Sequence, residues 1–368
     1  MKPIPFISLD SQHAEIKAHV HKAFENVYEQ NWFILGKEVE AFEQEYAAFC
    51  NASHCISVGN GLDALFISLK ACGIGPGDEV IVPSHTFVAT WLAVARTGAT
   101  IVPVEPNLSA FNIDAQTILP AITEKTRGII PVHLYGQPCD MSFLNEARSR
   151  NIFVIEDNAQ AHGAKWNNLV TGGIGDISAT SFYPAKNLGC LGDGGAVVTN
   201  NDKFDQYARR YRNYGFSEKN VSDSQGVNSR LDEIQAAVLR IKLRYLQEWN
   251  AERKRLAGHY FAGLKGIEAL TLPVAIPGAT HVFHLFVVRT SRRDELRNHL
   301  TSMKIGTGIH YPAPPHLQES FRMLGFKKGD FPVAEEIANT SLSLPLYPGM
   351  ETSDVEYVCD TIRKFLQK

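Results

Sequence analysis

Apolar positions change their spacing several times along this chain, and each change marks an element. Ile16, Val20, Ala23, Phe24 and Val27 recur at helical spacing, so residues 11–30 read as a helix, and a second is expected over 37–49. Beyond it short apolar runs alternate with amphipathic stretches. Residues 55–58, 79–82, 100–104, 128–133 and 152–155 read as strands, separated by helices over 62–71, 87–96, 115–122 and 141–150. Near-continuous apolar strands separated by helices describe a parallel sheet covered on both faces, an α/β domain.

The character shifts after a further apolar strand ending at Thr199. Residues 204–214 read as a helix carrying Arg209, Arg210 and Arg212, followed by a polar, irregular stretch to Asn228. Two long helices are then expected, 231–249 and 251–264. The tail mixes a strand over 282–289 with helices over 294–303, 333–340 and 353–366. Ser353 and Glu356 read as a capping box for the last, and Val355, Val358, Ile362 and Phe365 as its apolar face. The expected division is a large α/β domain, residues 1–245, and a smaller C-terminal α+β domain, 246–368.

Composition narrows the class. The 368 residues are 44% hydrophobic and 20% charged, the balance of a soluble globular protein too long for one small core. A formal net charge of −3 gives no footing for a nucleic-acid partner or a basic membrane patch. The first ten residues hold no signal-peptide core, and the apolar run 87–94 is too short to span a bilayer. The six cysteines form no CxxC pair, so reduced thiols in a cytoplasmic protein, with no bound metal, are expected.

Candidate chemistry gathers at strand ends. Lys186 stands in a glycine-crowded loop with Asp193 as the nearest charge. Such a lysine suits an amine of lowered pKa that forms a Schiff base, although a surface-loop lysine fits the same residues. Gly59 and Gly61 lie between a strand and a helix, as a plain turn or as a cradle for phosphate at the helix start. Glu156 and Asp157 close a buried strand, and strand alternation lets only one of them face a given side. One could hold a proton on a ring nitrogen or cap the next helix; Gln160 and His162 follow on the same loop. Phe87 is core or a flat face for an aromatic cofactor. Asn228 or Ser229 would cap the following helix. His310, Tyr311 and His316 line a pocket or merely belong to a proline-stiffened loop.

A lysine, a strand-end acid, a glycine turn over a helix start and an aromatic face are together what pyridoxal 5′-phosphate (PLP) requires. The chain resembles the fold-type I, DegT/StrS-type family of nucleotide-sugar aminotransferases. The likeness runs almost end to end, through residues 31–43, the glycine turn, 83–87, 156–163, 181–187, 228–237, the His310 segment and 344–349. It implies an aspartate aminotransferase-like fold, a large mixed-sheet domain with a smaller C-terminal one, and a homodimer with shared active sites. By the same resemblance Lys186 carries the cofactor and shuttles protons, Asp157 pairs with the pyridinium nitrogen and Gln160 with the ring hydroxyl. Gly61, Leu62 and Ser181 hold the phosphate, Phe87 stacks on the ring, and Asn228 reaches the neighbouring subunit's phosphate. His162, Tyr183, Lys219, Arg230, His310 and Tyr311 are implied substrate contacts.

Residues 59–65, 83–94 and 131–136 further resemble members that aminate C3 of dTDP-linked 3-keto-6-deoxyhexoses, with L-glutamate as donor. A 4-aminotransferase on the same scaffold is the near alternative, and a non-catalytic α/β binding protein the distant one. A PLP-dependent sugar 3-dehydratase would carry His where Lys186 stands, and a transcription regulator would need a DNA-binding segment for which the chain leaves no room.

Overall fold

The computed structural model describes residues 2–367. Helices α1 (Asp10–Gln30) and α2 (Lys37–Phe49) lead into β1 (His54–Val58). Then follow α3 (Gly61–Ala71), β2 (Glu79–Pro83), α4 (Val88–Thr97) and β3 (Thr100–Val104). After them come α5 (Ala115–Ile118), β4 (Thr126–Ile129), α6 (Leu144–Ser149) and β5 (Phe153–Asp157). A small hairpin, β6 (Lys165–Trp166) and β7 (Leu169–Val170), precedes β8 (Ile177–Ser181) and β9 (Gly195–Thr199).

Seven of these strands form one sheet in the order β1-β9-β8-β5-β4-β2-β3. The pairs from β3 to β8 are parallel, as the alternation with helices requires, but β9 runs antiparallel to both β8 and β1. No helix separates β8 from β9. The glycine-rich loop carrying Lys186 turns the chain straight back, and a connection without a crossover gives an antiparallel neighbour. The sheet is therefore mixed, as expected for the large domain. Ile56, Val58, Val80, Val82, Ile155, Ile177 and Val197 bury one face of it against α3 and α4.

After α7 (Asp202–Tyr211) and the hairpin β10 (Phe216–Glu218) and β11 (Val221–Ser222), one uninterrupted helix, α8, spans Glu233–Leu264. The two helices expected here are one, because Asn250 carries no backbone constraint strong enough to break the repeat. Residue 245 lies inside it. Ala236, Leu239 and Leu246 pack in the core beside α2, whereas Leu256, Tyr260 and Leu264 enter the C-terminal core. That second core gathers around β13 (Phe286–Arg289), α9 (Arg293–Ser302), β14 (Ser341–Leu344) and α11 (Thr352–Leu366), whereas β12 (Ala279–Thr280) pairs with β6 and α10 (Pro332–Thr340) packs Ile337 into the first core. Ile4, far before residue 245 in sequence, belongs to it too, bridging to Ile305.

Two expected caps do not form. Glu351 stands at the α11 N-cap, one residue before the helix starts, so Ser353 is already helical and no capping box exists. Asp232 precedes α8 without a side-chain cap, and Ser229 instead accepts the Gly59 N–H and donates to Asp63. Among the described residues no helix is long and apolar enough to cross a membrane.

Candidate active site

The carboxyl end of β5 sets the two acids on opposite sides of the sheet. Glu156 accepts four hydrogen bonds, from His133 Nε2 and from the backbone N–H groups of Gly172, Ile174 and Gly175, at 2.7–2.9 Å. Burial would raise its pKa, but these donors hold it below the usual carboxylate range. It is a clamp for the loop before β8. Asp157 turns to a cavity. It accepts from Thr90 Oγ1 at 2.9 Å and the Ala159 N–H at 3.2 Å, and burial raises its pKa despite both donors and nearby Lys186. An acid that is buried and only partly satisfied gains from a cationic N–H placed before it.

The turn between β1 and α3 builds an anion cradle. Asn60 caps α3, its side chain accepting the Asp63 N–H at 2.8 Å. Gly61 and Leu62, in the first turn, have N–H groups with no partner among the described residues. Gly61 must be glycine, since a Cβ there would stand 2.6 Å from the Ser181 Cβ. The close approach brings the Ser181 hydroxyl beside two free donors at the positive end of a helix, a site made for phosphate.

Lys186 follows from β8 through a tight turn closed by its own N–H to the Tyr183 carbonyl at 2.8 Å. Its amine makes no hydrogen bond or ion pair among the described residues. Burial pushes it down to about 8, with Asp157 pulling upward. Asn187 anchors the turn by donating to Asn250 and the Val282 carbonyl.

These groups meet around one cavity of about 640 Å³, lined by Gly61, Leu62, Phe87, Asp157, Gln160, Ser181, Tyr183, Lys186, His310 and Tyr311, among others. Phe87, just before α4, leaves half its surface exposed (51%) and tilts against Tyr311, with ring centroids 5.3 Å apart. A large apolar ring exposed inside a cavity is a stacking face awaiting a partner. Gln160 spends both ends of its amide within the chain, accepting from the Tyr135 N–H at 2.6 Å and donating to the Tyr311 hydroxyl at 2.9 Å. His310 bonds Ser343 and stacks on Phe6; burial, with Lys186 adding, lowers its pKa to about 4.

Five expected site residues lie off the cavity. His162 is fully buried, donating from Nε2 to the Ser181 carbonyl, and so supports the cradle from behind. Lys219 is exposed at the turn between β10 and β11. Asn228 is exposed and pairs with Asn213 through the backbone. Arg230 bonds Asn213 and lies over the Tyr214 ring. His316, read as a pocket candidate, is buried against Glu335 instead. The sequence reading missed Asn60, Thr90 and His284. A cap followed three residues later by Asp63 was a signal for Asn60; nothing near His284 marked it.

A model of the DegT/DnrJ/EryC1/StrS aminotransferase family matches residues 14–363. The chain belongs to that family. It is 46% identical, over 99% of its length and 97% of the relative's, to dTDP-3-amino-3,4,6-trideoxy-alpha-D-glucose transaminase of Streptomyces venezuelae. It is 44% identical to dTDP-3-amino-3,6-dideoxy-alpha-D-galactopyranose transaminase of Aneurinibacillus thermoaerophilus, over 98% of this chain and 99% of that one. The crystal structure of S. venezuelae DesV in complex with a ketimine intermediate superposes over the whole of both chains, with a TM-score of 0.98 and 46% identity.

The protein is thus an aminotransferase, and its cofactor is PLP. A structural neighbour from Bacillus subtilis, 29% identical with a TM-score of 0.90 over all of this chain and 86% of that one, was solved with the aminated form, PMP. The residues present fit that group. The cradle a Cβ would fill suits a phosphate, the half-satisfied Asp157 a protonated ring nitrogen, the exposed Phe87 a ring face, and the unpaired Lys186 amine a carbonyl carbon.

Proposed function

We propose that this enzyme moves an amino group from L-glutamate to C3 of a dTDP-linked 3-keto-6-deoxyhexose, giving a dTDP-3-amino-3,6-dideoxyhexose for glycan biosynthesis (O-antigen, S-layer or antibiotic sugar). The observation that carries the reading is the convergence of Lys186, Asp157, the free N–H groups of Gly61 and Leu62, and Phe87 on one cavity. The choice of C3 is supported by the names of three relatives that are 40–46% identical, each a transaminase of a dTDP-3-amino sugar. A further relative, 40% identical, is named as a 3-aminotransferase for a UDP-linked sugar, so C3 recurs across two nucleotides.

When bound, PLP supplies an electron sink that makes a carbon-bound proton removable. The chain does the rest. Asp157 keeps the proton on the ring nitrogen. Gly61, Leu62 and Ser181 hold the phosphate, and Phe87 covers one ring face. Lys186 Nζ takes the proton from the donor's α-carbon and later returns one to the sugar carbon; with a pKa of about 8, a useful share of the amine is neutral at physiological pH. Val88, Leu92 and Leu285 keep the cavity wall apolar and limit water. Tyr183, His310 and Tyr311 are left to meet the sugar and its diphosphate.

The same reading makes the protein a homodimer. Tyr28 near the end of α1, with Trp32, Phe33 and Ile34 in the link to α2, forms an exposed apolar stretch, the kind of surface a second copy covers. Asn228, Lys219 and Arg230 then reach across the interface to the cofactor phosphate and the nucleotide; all three lie off their own cavity, Asn228 and Lys219 exposed and Arg230 half-buried. The test supplies glutamate with a 3-keto or a 4-keto dTDP-hexose separately and follows 2-oxoglutarate. Release with the 4-keto sugar alone would replace C3 by C4. Lys186→Ala should abolish the near-visible absorption of the holoenzyme; an unchanged spectrum would sink the role given to Lys186.

A further inference from the structure

Because the Lys186 amine makes no hydrogen bond among the described residues, the backbone that carries it sets its direction. That backbone is a narrow turn. The Cys190 N–H bonds the Phe182 carbonyl at 2.8 Å and closes its base. Gly189 packs on the opposite limb with no side chain between, since a Cβ there would collide with the carbonyl oxygens of Tyr183 and Pro184. A group that holds Gly189 therefore holds both limbs.

Helix α8 holds this turn from behind. Gln235, Lys242 and Asn250 fall within one stripe of about 80° on a helix of 3.6 residues per turn. Gln235 Oε1 accepts the Leu191 N–H at 2.7 Å, Lys242 Nζ donates to the Gly189 carbonyl at 2.7 Å, and Asn250 Oδ1 accepts from Asn187 Nδ2 at 2.8 Å. Going down α8, the contacts thus climb back along the turn to the neighbour of Lys186. Asn250 also donates to the His162 carbonyl at 2.9 Å, and the His162 ring bonds Ser181 in the phosphate cradle. Arg253, on the same stripe, directs Nη1 to the carbonyls of Leu346 at 3.0 Å, Phe283 at 3.4 Å and His284 at 3.5 Å. One helix face fixes both the turn and the segment that supplies His284 and Leu285 to the cavity wall.

Lys242 is the unexpected member. It is buried, and no carboxylate among the described residues pairs with it. Its second neighbour is His13 Nε2 from α1, at 3.4 Å, which accepts because an ammonium group has no lone pair. Burial pushes the Lys242 amine down to about 8. A buried cation without a counter-ion is costly, and an apolar side chain would fill the same space without that cost. What the amine adds is the short bond to Gly189. We propose that Lys242, on its stripe with Gln235 and Asn250, is a positioning residue for Lys186: by holding Gly189 it fixes the turn from which the reacting amine meets the cofactor aldehyde. This rests on Lys186 being that amine.

When the two join, Lys186 Nζ bonds the aldehyde carbon and the aldehyde oxygen leaves as water. PMP carries an aminomethyl group there and cannot condense. The affinity of the cofactor-free full chain for PMP therefore reads the cradle alone, and its affinity for PLP reads the cradle together with the reach of Lys186. Lys242→Met keeps the aliphatic stem and removes the donor. Its affinity for PLP relative to PMP should fall roughly ten-fold, the scale for a reacting group displaced by a fraction of an ångström, while its affinity for PMP holds. Both affinities falling together would mean a loosened fold, and neither changing would mean no role; each result overturns the proposal. If Lys242→Met does not fold, Gln235→Met at the half-buried end of the stripe decides: the same ratio should drop, and an unchanged ratio overturns the proposal. Lys186→Ala separates the two readings. A ratio there that matches the unmutated chain's removes Lys186 as the reacting amine, whereas a ratio that collapses there and holds in Lys242→Met removes this inference alone.

Discussion

Glu156 and Asp157 are adjacent carboxylates on one strand, both buried, and they do opposite work. Glu156 faces away from the cavity with four donors and is held ionised; Asp157 faces into it with two donors and a raised pKa. The difference lies in hydrogen-bond supply, since burial acts on both in the same sense. A fully satisfied carboxylate is part of the fold. One left short of partners is a socket, and its deficit is the physical sign of a ligand.

Asp157→Asn puts this contrast under the greatest strain. An amide cannot hold a proton on the ring nitrogen by charge, so turnover should fall roughly 10²–10³-fold, the scale for losing one preorganised electrostatic partner. Asp157 has a raised folded-state pKa, so its ionised form opposes folding at neutral pH. The substitution should therefore leave the cofactor-free melting temperature unchanged or higher. A clear drop would mean that Asp157 is structural like its neighbour.

Glu156→Gln should do the reverse. The amide must place an NH₂ group before backbone donors, and a loss of about 2–3 kcal/mol is expected in urea unfolding. Activity per folded molecule should survive. Gly61→Ala comes next: its methyl meets Ser181, and the local shift should cost about 1–2 kcal/mol of cofactor binding. PLP titration reads this as a roughly ten-fold weaker affinity; equal affinities would mean that Gly61 builds no cradle.

How much of this was legible in the sequence depended on how local each feature is. Strand alternation already said that Glu156 and Asp157 face opposite ways, and the glycine turn before α3 marked the cradle. The choice between the two acids came only through resemblance and not from the residues themselves, because three of the Glu156 donors come from residues 172–175, a loop without pattern. The break expected near Asn250 in α8 was misplaced because polar residues suggested an end where the helix simply changes cores. The strand expected over 282–289 hid His284: the left-handed Phe283 interrupts the alternation, and only residues from Phe286 on pair as β13. Lys219 and Asn228 were expected at the site only through resemblance, and within this chain both lie off the cavity.

The smallest expected effect concerns pH and tests whether the cavity side is also the labile side. Burial holds His85 and His310 down to about 4 and His162 to about 3, with His284 also lowered; His284 and His310 line the cavity, and His85 and His162 are buried in the protein outside its lining. Each is neutral when folded and protonated more readily when unfolded. Their contribution is thus fully present above about pH 6.5 and is lost as pH falls from there through about 4. Glu156, with its lowered pKa, adds a loss of the same sign below its ordinary value; Asp157 opposes it as a single group. The melting temperature should be level between about pH 8 and 7, decline from about 6.5 and steepen toward about 4, in each case checked by thermal unfolding of the cofactor-free chain. His162→Gln, which removes one buried imidazole, should flatten that slope measurably. A curve that stays level down to about pH 5 would mean these rings find protons at no cost, and the neutral collar around Lys186 would have to be abandoned.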